Sequence, residues 1–148
     1  MLLETILSLF ERDLNKLITE IELYKNEDNI WRVDKNISNS AGNLTLHLIG
    51  NLNTYIGKEI GKINYVRNRE LEFSQKNIPR QELIKNLNDT INVVRDSLLT
   101  FPADELENEY PILVFTEKTS TGYFLIHLTT HLSYHLGQIN YHRRLIEE

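Results

Sequence analysis

The stretch His127–Leu145, HLTTHLSYHLGQINYHRRL, decides the fold. Leu128, Leu132, Leu136 and Ile139 recur in it at three- and four-residue steps, the period of an amphipathic helix rather than of a strand. Phe124, Leu125 and Ile146 extend the period in both directions, so a helix is predicted from Thr119 or Ser120 to the C-terminus. The same period returns three times upstream. Leu83, Ile84, Leu87, Ile91, Val94 and Leu98 predict a helix whose first turn suits Pro79 and which Phe101 and Pro102 end. Leu44, Leu48, Leu52, Tyr55 and Ile56 predict another from Ala41 to about Ile60, with Gly57 and Gly61 where it frays. Leu3, Ile6, Leu7, Phe10, Leu14, Leu17, Ile18 and Ile21 predict the first, running to about Tyr24. Four long helices in a chain of this size predict an all-α four-helix bundle.

The segments between them carry different signals. Residues 25–39 are rich in Asn, Asp and Lys, with Trp31 and Val33 as apolar anchors and Ser38, Asn39 or Ser40 as N-caps for the second helix. Residues 61–80, GKINYVRNRELEFSQKNIPR, show no sustained period and read as a connecting loop, with Arg67 and Arg69 beside Glu70 and Glu72. YPILVFTEKTS, residues 110–120, is β-branched and short, yet too little strand pattern exists elsewhere for a sheet, so an ordered crossover is expected. No repeat or low-complexity tract divides the chain, and one domain over residues 1–148 is expected.

Sixteen Lys and Arg against 21 Asp and Glu give a formal charge of -5, which repels phosphate backbones and anionic lipid, so neither a nucleic-acid nor a membrane partner is expected. The chain has no cysteine, which removes disulfides, thiolate ligands and a protein thiol nucleophile. Its N-terminal stretch lacks a signal-peptide pattern and no segment reaches membrane-spanning length, so a soluble cytoplasmic protein is expected.

Four of the five histidines, His127, His131, His135 and His142, fall on the predicted last helix. At about 100° per residue the first three lie at roughly 0°, 40° and 80°, bordering the leucine stripe. Two imidazoles at i and i+4 can chelate one ion, but three histidines at two such steps span about 12 Å, so one ion takes either His127 with His131 or His131 with His135. The third ligand must come from another helix, and His47 is the remaining histidine, on the apolar side of the second helix beside Leu44 and Leu48. A lone histidine on an apolar face is more often a hydrogen-bonded core residue than a ligand, and His142 and His127 are expected to be that. Three neutral imidazoles suit Zn or Ni, with Fe and Mn also accommodated, and leave positions open for water or substrate.

The run from His131 through Gln138 resembles the last-helix signature of the DinB-like, YfiT-like superfamily of metal-dependent enzymes: His, three residues, His, then Gly-Gln. Within it the chain is most similar to a branch of small bacterial proteins carrying an Asn-Leu segment after the helix-two histidine, here His47 to Asn51, and a Tyr-x-Arg-x-Arg-x-x-Glu-Phe-like loop, here Tyr65 to Phe73. The resemblance covers nearly the whole chain. It implies an up-down-down-up four-helix bundle, a metal triad of His47, His131 and His135, and frequently a homodimer. His127 has no counterpart among the family's usual ligands and would stand behind them.

Gln138 and Asn51 lie about one turn from ligand histidines, placed to orient an imidazole or a water, or else to serve structural or solvated roles. Arg67 and Arg69 can clamp a carboxylate or phosphate of a substrate at the site mouth; the blander expectation is a surface ion pair with Glu70 and Glu72. Tyr123, Tyr134 and Tyr141 form an aromatic edge suited to packing or a dimer contact. No Gly-rich phosphate loop and no G-x-S-x-G turn is present. The function expected is activation of water or an exogenous low-molecular-weight thiol against a small electrophile, as a hydrolase or thiol transferase. The rival is a non-catalytic dimeric, stress-linked or metal-sequestering bundle.

Overall fold

The computed structural model describes residues 1–148. The first periodic stretch forms α1 (Leu2–Leu23), whose buried face is made of Leu3, Ile6, Phe10, Leu14, Leu17, Ile18 and Ile21. A 3₁₀ turn, Glu27–Trp31, interrupts the loop that follows, its start capped by the Asn26 side chain. The Trp31 ring lies flat against Gly42, where any Cβ would collide with it, and so anchors this loop to the next helix. That helix, α2 (Ala41–Leu52), opens on Ser40, whose Oγ accepts from the Asn43 amide. Instead of running on as an α-helix to Ile60, the chain widens into a π-helical stretch, Asn53–Lys58.

Residues 61–80 are not wholly a loop. They contain a fifth helix, α3 (Arg69–Ser74), with Asn68 Oδ1 accepting from the Leu71 amide. Six residues are too few to hold a helix in water, so its stability is tertiary. Asn43 on α2 supplies it: its side-chain Nδ2 donates to the carbonyls of Glu72 (2.9 Å) and Gln75 (2.8 Å). Pro79 then stands just before α4 (Arg80–Leu99), and a 3₁₀ turn (Ala103–Glu107) follows. The crossover forms no strand, but one antiparallel bridge between Glu109 and Ser120 closes it. Ser120 caps α5 (Thr121–Ile146) by accepting from the Tyr123 amide.

The chain is therefore all-helical, with five helices and no strand. α1 lies against α4 and α5, while α2 touches α4, α5 and α3. One continuous apolar core of 28 buried side chains joins the long helices, with Leu44 and Leu48 from α2 and Leu128 and Leu132 from α5, two helices that touch. That seam positions the histidines. No helix is long and apolar enough to cross a membrane.

Candidate metal centre

His47 on α2 and His131 and His135 on α5 meet at the edge of this seam. The Nε2 atoms of His47 and His131 are 3.2 Å apart, and those of His131 and His135 are also 3.2 Å apart. One nitrogen from each of the three lies within 4.8 Å of the others. Two nitrogens bonded to an ion at about 2.05 Å with a near-tetrahedral angle stand about 3.3 Å apart, so this spacing fits a common cation. Between His131 and His135 the helical one-turn rise sets the distance, with the rings edge-on at 4.5 Å. Between α2 and α5 it is set by the packing of the two helices.

Outer hydrogen bonds fix which nitrogen faces the centre. His47 Nδ1 lies 3.1 Å from Glu72 Oε1, and a carboxylate can only accept, so Nδ1 carries the proton and the Nε2 lone pair points inward. His135 Nδ1 donates to Gln138 Oε1 at 2.7 Å, with the same result. His131 has no such partner: its Nδ1 is buried and unpaired. Burial drives the His131 pKa down to about 4, and the neighbouring imidazoles push it in the same direction. Burial also lowers His135, against a hydrogen bond to Gln138 that raises it. Both imidazoles are neutral at pH 7, the form that binds metal.

Glu72, which sequence reasoning left on the surface, is 6% exposed. It also accepts from Arg67, with Nε at 2.8 Å and Nη2 at 2.9 Å. Burial pushes the Glu72 carboxyl upward, but hydrogen bonds and charges from His47 and Arg67 outweigh it and hold the group below its ordinary range. The carboxylate rests on the backbone of Gly50, one turn beyond His47, and a Cβ there would overlap it. A glycine in mid-helix on the histidine's own face was the one available signal of this close approach.

Arg67 is turned inward onto Glu72 and stacks over Tyr55 at 5.7 Å, so it is neither a free clamp nor a surface pair. Arg69 is exposed, lies over Phe73 at 5.3 Å and makes no hydrogen bond to the triad. Asn51 is buried with its Oδ1 unpaired and forms no hydrogen bond to a histidine. His127 stacks on His131 with centroids 6.3 Å apart and meets Phe115 edge-on, outside the three-nitrogen cluster. His142 is buried away from it, accepting from Tyr24 Oη at 2.6 Å and donating through Nε2 to the Arg32 carbonyl at 2.7 Å.

The chain matches, over residues 2–148, a family described as a protein of unknown function (DUF1572). It belongs to that family. Among curated proteins none matches it. For a DUF1572 member, then, the site's own chemistry carries the functional argument. Beside His135 a hollow of about 490 Å³ opens between α5 and the segment 36–39. Leu44, Tyr141 and Leu145 give it apolar walls, Asn36, Asn39 and Gln138 give it amides, and no Lys, Arg, Asp or Glu lines it.

Proposed function

We propose that this DUF1572 protein is a metal-dependent enzyme of the DinB-like, YfiT-like kind, with its four long helices in an up-down-down-up bundle. His47, His131 and His135 hold one divalent ion, Zn or Ni ahead of Fe or Mn. The observation that carries the reading is the convergence of three Nε2 atoms, two of them with their lone pairs turned inward by Glu72 and Gln138. A bound dication of this class supplies Lewis acidity, bringing the pKa of a ligated water or thiol toward neutrality and polarising a carbonyl. The protein residues contribute position. His47 is held from one helix and His131 and His135 from another that packs against it, with His47 and His135 oriented by Glu72 and Gln138.

The nucleophile is water or an imported low-molecular-weight thiol, because the chain has no cysteine of its own. The uncharged walls beside His135 suit the body of a small neutral electrophile, such as an ester, amide or alkylating agent. We also propose that the protein is a homodimer, for which sedimentation gives the direct test: a single species of 17.4 kDa contradicts it.

Metal-stripped protein reconstituted with Zn, Ni, Fe or Mn should bind one ion per chain, and His131→Ala should bind none by elemental analysis. The loaded protein should turn over a panel of neutral esters, or transfer a small thiol to an alkyl halide. Activity independent of metal content, or equal metal in wild type and His131→Ala, overturns the proposal.

A further inference from the structure

We propose that Glu72 is a positioning residue for the metal site, acting through His47, with Arg67 as its brace and α3 as the arm that delivers it. This rests on the triad reading above and extends it outward from the ligands. Glu72 is a carboxylate at 6% exposure in a protein whose other acidic groups are mostly in solvent, and burying such a charge is costly unless it is fully paired. Here it is fully paired. Both oxygens are engaged by Arg67, and Oε1 also takes the His47 Nδ1 proton at 3.1 Å.

A set of local features serves this single contact. Asn68 starts α3, Asn43 pins the backbone carbonyls of Glu72 and Gln75 to α2, and Gly50 leaves the space in which the carboxylate lies. Arg67 Nη2 itself lies 3.4 Å from His47 Nδ1, so the guanidinium and the carboxylate crowd the same edge of the ring. The consequence for His47 is threefold. Its tautomer is fixed with Nε2 bare, its ring plane cannot turn, and the adjoining negative charge makes Nε2 a stronger donor toward a cation. Arg67 neutralises Glu72 through both oxygens, including the Oε1 shared with His47, which keeps the carboxylate seated instead of drawing it onto the ion as a direct ligand.

The test is metal affinity, read by chelator competition with Zn(II) and, separately, Ni(II), on wild type, Glu72→Gln, Glu72→Asp, His47→Ala and the double variant His47→Ala with Glu72→Gln. Glu72→Gln keeps the shape and loses the charge. Glu72→Asp keeps the charge for Arg67 and withdraws it from His47. Both should bind about 10- to 100-fold more weakly than wild type, with metal-free thermal unfolding showing that they fold. In the His47→Ala background, Glu72→Gln should cost no further affinity, because its route to the ion is already gone. A merely structural glutamate gives instead the same loss in both backgrounds. Unchanged affinity in both single variants, or equal losses with and without His47, overturns the positioning role while leaving the triad intact. Wild-type protein that binds neither ion overturns the triad reading itself, and this proposal with it.

Discussion

At the scale of single residues, the site depends on a missing side chain as much as on those present. Gly50→Ala should gain about 1 kcal/mol of helix propensity, yet the added methyl has to displace the Glu72 carboxylate. Forcing such an overlap costs about 1–3 kcal/mol, so a net loss of stability is expected in urea unfolding, together with weaker metal binding. A variant more stable than wild type would show that the carboxylate moves aside freely. The histidines set the acid behaviour. His131 is held neutral down to about pH 4 by burial first and by its neighbouring imidazoles second, whereas an unfolded histidine titrates near 6.5. The unfolded chain therefore binds more protons between these values, and metal-free protein should lose stability as pH falls from about 6.5 toward about 4. Thermal unfolding across that range checks it, and His131→Ala should have a shallower slope.

At the scale of elements, α3 is the part that depends most on its surroundings. Its six residues are held by one side-chain cap and by Asn43, whose Nδ2 satisfies two carbonyls at once. Asn43→Ala leaves the buried Glu72 carbonyl unpaired and the partly buried Gln75 carbonyl to solvent, and should destabilise the fold by about 1–3 kcal/mol. The denaturant midpoint measures that loss, and a change below half a kcal/mol would mean that water replaces the amide. The long helices need no such help. Their stripes of Leu and Ile bury against one another, and the period that predicted α1, α4 and α5 is the same period that packs them. α2 departs from that rule at its end, where the π-helical stretch Asn53–Lys58 re-registers the chain beneath the Tyr110 hydroxyl, which donates to the Tyr55 carbonyl.

At the scale of the whole molecule, the proposed ion joins α2 to α5, two helices far apart in sequence, and should act as a cross-link. A ligand that binds only the folded state stabilises it by about 2.7 kcal/mol when present at 100 times its Kd. Zn(II) should therefore raise the unfolding temperature of wild type by several degrees and leave that of His131→Ala unchanged. Equal shifts in the two proteins would place the metal elsewhere.

The sequence by itself determined the helical class, the extents of α1, α4 and α5, and the histidines to watch, because period and i, i+4 spacing are local properties of the chain; it offered Ser38, Asn39 or Ser40 as caps and Thr119 or Ser120 as a start, of which the structure uses Ser40 and Ser120. It left His131 open to pairing with either His127 or His135; only the similarity of residues 131–138 to a known signature favoured the second. The tertiary structure brings His47 to His131 and His135 through the packing of α2 against α5. It alone decided that Arg67 and Glu72 turn inward, since a charged stretch without hydrophobic period gives no local sign of burial. That burial is decided by Gly50 and Asn43 on another helix, whose contacts with Glu72 span 22 and 29 residues of chain.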